Sequence, residues 1–138
     1  MPIRDWLQAR FATPTLGERG ERAAARKLRR LGYRIVTTRH RQRYGEIDII
    51  AVDGQTVVFV EVKTRRSQRH GEGAEAVDTN RQARLTRAAL AFLKAHGLLE
   101  YASRFDVVEV LWPDDAKQPT IRHIQDAFPA VGRGQMYS

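Results

Sequence analysis

Gly45–Arg66, GEIDIIAVDGQTVVFVEVKTRR, is two apolar runs on either side of a turn. Asp53-Gly54 is a pair that supplies positive φ in a short hairpin connection. Before it stand Ile47, Ile49, Ile50 and Val52, and after it Val57, Val58, Phe59, Val60 and Val62. A run as continuously apolar as VVFV predicts a strand covered on both faces, hence central in its sheet. Into these strands the sequence sets Glu46, Asp48, Glu61 and Lys63. Alternation puts Glu61 and Lys63 on a face with Val57 and Phe59, and Asp48 on a face with Ile50. Counted outward from Asp53-Gly54, Asp48 falls opposite a position near Val60, so its carboxylate can meet that of Glu61. Charges on an apolar face are costly to bury unless they are paired or hold a metal.

Two carboxylates brought together repel, and a hard divalent cation such as Mg²⁺ or Mn²⁺ removes that cost while gaining oxygen ligands. Lys63, on the face of Glu61, can then position a water or stabilise phosphoryl charge. The competing reading is a charged strand end, with Glu61 and Lys63 pairing only with each other and with water.

Working outward, Leu16–Leu31 patterns as a helix closed by Gly32, with Ala24, Ala25, Leu28 and Leu31 on its apolar stripe. Stepping back along that stripe reaches Glu21, which can add a third acid or simply favour the first turn of the helix. Tyr33–Thr38 alternates like a strand and leads into a basic connection, Arg39–Arg43. A second basic piece, Thr64–Gly73, follows the hairpin. Flanking strands that carry acids, Arg41, Arg43, Arg65, Arg66 and Arg69 suit phosphate contacts, and Arg81 further along the chain is expected to join them. A helix from about Asn80 to His96 starts with Thr79 and Gln82 at capping-box spacing, and Arg81 and Gln82 extend its apolar stripe. Arg104–Leu111 and Thr120–Ile124 pattern as strands, the last at an edge. A helix between two strands implies a crossover and parallel pairing. The expected fold is α/β, a mixed central sheet flanked by helices in the order α-β-β-β-α-β-β. Residues 1–15 form an amphipathic N-terminal arm, 16–128 one domain, and 129–138 a flexible tail.

The 24 basic and 16 acidic residues leave a net charge of +8, which suits a polyanion partner, nucleic acid first. No cysteine is present, so disulfides and thiolate metal sites are excluded. No apolar run is long enough to span a membrane, and MPIRDWLQARF lacks a signal-peptide core. The expectation is a cytoplasmic protein that does not bind membranes. Gly-rich phosphate loops, HExxH and GxSxG are missing, and His40, His70, His96 and His123 show no ligand spacing.

Asp48 followed by Glu61-Val62-Lys63, after an acid-bearing helix, resembles the PD-(D/E)xK nuclease superfamily, with its restriction-endonuclease-like core. More closely, GERGERAAARKLRRLGYRIV, then GEIDIIAVDGQTVVFVEVKTRR, AVDTNRQARLTRAALAFL and RFDVV resemble the YraN family (UPF0102) over about Leu16–Phe128. That family is similar to archaeal Holliday-junction resolvases. The resemblance implies an Mg²⁺- or Mn²⁺-dependent endonuclease that hydrolyses phosphodiester bonds in structured or branched DNA. By it, Asp48, Glu61 and the main-chain carbonyl of Val62 would hold the metal. Lys63 would position the attacking water, Glu21 would match the helix acid, and the enzyme would act as a homodimer. Glu46 matches the GEID motif. Arg39 stands where relatives usually carry Asn, and Arg81 where many carry Lys. Two other readings remain open: a nucleic-acid-binding protein that keeps the nuclease fold without turnover, and an adaptor docking a partner through Trp6 and Phe11.

Overall fold

The computed structural model describes residues 2–67 and 77–130, without the side chains of residues 9–11. Its elements are α1 (Ile3–Phe11), α2 (Leu16–Arg30), β1 (Arg34–Gln42), β2 (Gly45–Asp53), β3 (Thr56–Arg65), α3 (Thr79–Ala95), β4 (Ser103–Leu111) and β5 (Thr120–Phe128). The five strands form a single sheet in the order β1-β2-β3-β4-β5. Only the β3–β4 pair, joined through α3, is parallel; the other three pairs are antiparallel. This is the mixed α/β sheet flanked by helices that the sequence predicts, with VVFV in the central strand.

The two faces of the sheet carry separate cores. On one side α2 lays Ala23, Ala24, Ala25 and Leu28 against Ile49, Val58, Val60 and Val108. On the other α3 lays Leu85, Ala89, Phe92 and Leu93 against Ile47, Ile50, Phe59 and Phe105. Helix α3 therefore buries the stripe its spacing predicts, and the strands between the helices are apolar on both faces. Helix α2 buries Ala24, Ala25 and Leu28 of its predicted stripe and adds Ala23, but Leu31, at its C-cap, is exposed. Asp106, fully buried in β4, is held by Arg104 (Nε to Oδ1, 2.9 Å), His123 (2.7 Å) and the amide of Asp126 (2.9 Å). Burial opposes its charge, but these donors keep the carboxyl below its usual pKa.

Several local expectations change. Arg39–Gln42 are not a connection: β1 runs on through them, because pairing of His40–Gln42 with Gly45–Ile47 gives their backbone a ladder partner. The last strand extends to Phe128, whose ring stacks on Phe105 at 4.9 Å. Helix α3 is capped by Asp78 rather than Thr79, since the Asp78 carboxylate accepts from the Arg81 amide at 2.8 Å. Ile3, Trp6 and Leu7 of α1 are exposed, so that face is not buried against the described residues. Phe11's side chain, Arg69 and residues 131–138 of the expected tail lie outside the described residues.

Helix α2 comes unusually close to β3. A Cβ built on Gly20 would sit 1.9 Å from Thr64 Oγ1 and 2.8 Å from Thr64 Cβ. That approach brings Glu21, the next residue, down to the sheet. It also sets up a contest of signs. Alanine gains about 1 kcal/mol over glycine in a helix interior, while overpacking a tight contact costs about 1–3 kcal/mol. At Gly20 the clash is with Cβ as well as the hydroxyl, so Gly20→Ala should lower stability in urea denaturation. At exposed Gly17, where an added Cβ meets only Thr15 Oγ1 at 3.9 Å, Gly17→Ala should leave stability equal or higher.

Candidate metal and phosphodiester site

The site begins where β2 and β3 part. The hairpin turns at Gly54-Gln55, with Gly54 at φ +62°, and its ladder pairs Asp53 with Thr56 and Ile49 with Val60. One residue further the same register brings Asp48 level with Glu61. There the ladder stops, while β3 continues to Arg65 paired with β4. The Val62 amide donates instead to Asp48 Oδ2 at 2.8 Å, so a side chain stands where a strand backbone would. The pleat of β2 also slips here: Ile47 and Ile50 both enter the α3-side core although they are three positions apart, a step that strict alternation would send to opposite faces. Opposite Asp48, between the pairs Thr38–Ile49 and His40–Ile47, Arg39 has φ +52°. The expectation that Asp48 simply shares a face with Ile50 is thus replaced by a local irregularity, which leaves Asp48 in a notch between the strands.

Into this notch come the acids. One carboxylate oxygen from each of Glu21 (α2), Glu46 and Asp48 (β2) lies within 4.8 Å of the others. Glu61, level with Asp48 in the register, is the neighbouring group that acts most strongly on the Asp48 carboxyl. Glu61 is 4% exposed. The notch therefore gathers Asp48, Glu61 and Glu21 and adds Glu46, whose place two residues before Asp48 in the same strand is a signal in the GEID motif.

Cations have been distributed among these acids unevenly. Arg81, from the first turn of α3, grips Glu61 with two bonds, Nε to Oε2 at 2.8 Å and NH2 to Oε1 at 3.2 Å, and NH2 also reaches the Glu46 carbonyl at 3.1 Å. Lys63 Nζ lies 4.0 Å from Glu61 Oε2. Arg39 Nε donates to Glu21 at 2.9 Å, and Arg41 Nε to Glu46 at 3.1 Å. Asp48 is in no ion pair among the described residues. Burial, the neighbouring Glu61 and, more weakly, Glu21 push its pKa from 3.8 up to about 8, against the lowering effect of the Val62 amide. Glu61 goes the other way: burial opposes its charge, but the bonds from Arg81 and Asp48 hold its pKa below the usual range.

The other arginines expected at phosphate are scattered. Arg66 pairs with Asp114, and Arg43 lies over the Tyr44 ring at 5.1 Å. Arg65 closes β3. Arg41 and Arg81 face acids, as described. The role of Arg81 as a counter-ion was foreshadowed only by its position on the apolar stripe of α3, where a charge needs a buried partner.

The donor set suits a hard divalent cation. It consists of carboxylate oxygens from α2, β2 and β3, and one of them, on Asp48, is in no ion pair among the described residues.

Comparison with known proteins places these residues in a family. The model of the uncharacterised protein family UPF0102 matches residues 20–110. A UPF0102 protein of Rhodopirellula baltica is 46% identical over 143 residues, covering 98% of this chain and 86% of the relative. UPF0102 proteins of Alkaliphilus metalliredigens (46% identical) and Symbiobacterium thermophilum (50% identical) each cover 83% of this chain and 97% of their own length.

Removing one member of a buried ion pair strands the other. Arg81→Ala should therefore destabilise the protein by about 3 kcal/mol in urea unfolding. Adding Glu61→Gln to that variant should recover much of the loss. Equal stability of Arg81→Ala and wild type would mean Glu61 does not depend on the pair.

Proposed function

The chain belongs to the UPF0102 family, and from that premise we propose that it is a metal-dependent phosphodiester hydrolase acting on nucleic acid, an endonuclease of structured or branched DNA. The observation that carries this reading is Asp48: a carboxyl set against Glu61 and within reach of Glu21 and Glu46, with no ion pair of its own among the described residues. Such a cluster is costly in a protein that never binds a positive ion there. Asp48 belongs to the cluster with Glu21 and Glu46 and also to the set with Glu61 and the Val62 carbonyl that the family resemblance implies. A bound Mg²⁺ or Mn²⁺ would supply a Lewis acid for the phosphoryl group.

The chain's own groups do the rest. Asp48 must lose its proton before it can ligate, and the Val62 amide fixes the oxygen that accepts from it. Lys63, beside Glu61 and partly exposed, is placed to orient a water and to oppose charge growing on phosphate. Arg81 keeps Glu61 ionised and in place. A cytoplasmic setting and action as a homodimer belong to the same proposal. No helix among the described residues is long and apolar enough to cross a membrane.

One observation favours a second reading, a nucleic-acid-binding protein without turnover: the two-bond grip of Arg81 on Glu61 fills the place a cation would take. A single assay separates the two. With Mn²⁺, wild type should cut a branched DNA substrate, and Asp48→Asn and Glu61→Gln should each lower the rate by at least about a hundredfold while leaving binding intact. Wild type that binds but never cuts would establish the second reading instead.

The raised Asp48 pKa has a stability consequence with a definite sign. Between 3.8 and about 8 the folded state holds a proton that the unfolded state releases. Stability from this group is thus full below the unfolded value and lost as pH rises towards the folded one. In metal-free buffer, the unfolding free energy of wild type relative to Asp48→Asn should fall across that window. A pH-independent difference would contradict the assignment.

A further inference from the structure

Beside the notch, α2 and β1 enclose a groove of about 600 Å³ whose lining includes Arg22, Arg26, Arg29, Arg39, Glu18 and Glu21. Arg22, Arg26 and Arg29 are exposed, and among the described residues no carboxylate is paired with any of them. They recur at four- and three-residue steps, so one face of α2 presents all three to the groove. Like charges at those steps destabilise a helix, and the helix dipole repays only those in the last turn. Arg29 is in that turn; Arg22 and Arg26 are not. The acids in the lining are already engaged: Arg39 bonds Glu21 at 2.9 Å and lies 3.6 Å from Glu18. Glu21 also belongs to the acid cluster with Asp48 and Glu46, so the groove leads into the notch.

The length of the arginine row fits a repeating anion. At 1.5 Å per residue, Arg22 to Arg29 covers about 10 Å of helix axis. A nucleic-acid strand advances about 3.4 Å per phosphate, so the row matches roughly three consecutive phosphates. Arginine suits that role, because its planar fork bonds phosphate oxygens in pairs.

We propose that this groove is a backbone seat for one nucleic-acid strand, holding about three phosphates next to the phosphodiester that enters the notch. The position relative to cleavage rests on the hydrolase reading; the seat itself does not. The seat reads phosphate and not bases, so it grips DNA and RNA through shared chemistry.

The test measures binding without divalent ions, so that it stands apart from any cleavage assay. Full-length wild type and Arg22→Gln/Arg26→Gln/Arg29→Gln are titrated against fluorescein-labelled DNA and RNA duplexes of matched sequence over a range of salt. Each duplex phosphate neutralised contributes about 0.9 to the slope of log K against log salt, so the triple variant should lose about 2–3 from it. Arg84→Gln/Arg87→Gln/Lys94→Gln removes the same charge from exposed positions on α3, across the sheet, and should lose far less. The single variant Arg26→Gln, expected to lose about one unit, covers the case in which the triple variant folds poorly. A larger slope change on DNA or on RNA identifies the natural strand. The seat is overturned if both triple variants lose equal slope, if neither changes it, or if wild type binds neither duplex. Loss of binding to anionic phosphatidylserine vesicles with the duplex slope unchanged would likewise overturn it.

Discussion

The parting of β2 from β3 after Ile49 is the constraint on which the site depends. Two strands of an antiparallel pair normally satisfy each other's backbone, and a break in the ladder leaves polar groups to be matched in another way. Here the Val62 amide finds its acceptor in a side chain, Asp48 Oδ2, at 2.8 Å. That bond pins an acid between strands whose neighbours are fully buried, Ile47, Ile49 and Val60 among them. The left-handed backbone at Arg39 and the slipped pleat near Asp48 lie at the same level of the sheet. Positive φ at a non-glycine residue is a strained conformation that persists only where its surroundings impose it. The irregularity, the misplaced hydrogen bond and the acid cluster coincide.

Charge then decides what the notch can do. Glu21, Glu46 and Glu61 each have an arginine, from β1, β1 and α3 respectively. Asp48 alone among the four has none among the described residues, and its pKa rises to about 8 as a result of burial beside Glu61. A net positive protein that leaves one half-buried carboxyl without an ion pair among the described residues has placed a specific demand at that point. The helices serve the same end from opposite faces of the sheet: α2 delivers Glu21 through the close approach at Gly20, and α3 delivers Arg81 from its first turn.

Much of this was legible in the residues. Continuous apolarity in VVFV marked the central strand, helical spacing marked the covering stripe of α3 and most of that of α2, where Leu31 is exposed and Ala23 buried, and the hairpin register brought Asp48 to Glu61. The turn lies one residue later than Asp53-Gly54 suggests, centred on Gly54-Gln55, which makes the two acids more nearly opposite than the count implied. Other features were hidden because they depend on three-dimensional pairing. The extension of β1 through Arg39–Gln42 follows from cross-strand bonds that no propensity of Arg-His-Arg announces. The Arg81–Glu61 pair joins residues on different elements, and a basic residue near a helix start reads equally well as solvent-facing. The groove of Arg22, Arg26 and Arg29 needed β1 in place before a row of helix charges became a cleft.

The central claim, that Asp48 waits for a divalent cation, is tested most directly by calorimetric titration of Mn²⁺ into wild type and Asp48→Asn near neutral pH, in two buffers of different ionisation enthalpy. Wild type should bind the ion at Asp48 and release close to one proton as that carboxyl ionises, and Asp48→Asn should lose both the binding and the proton. Binding unchanged in Asp48→Asn, or no Mn²⁺ binding by wild type, would contradict it.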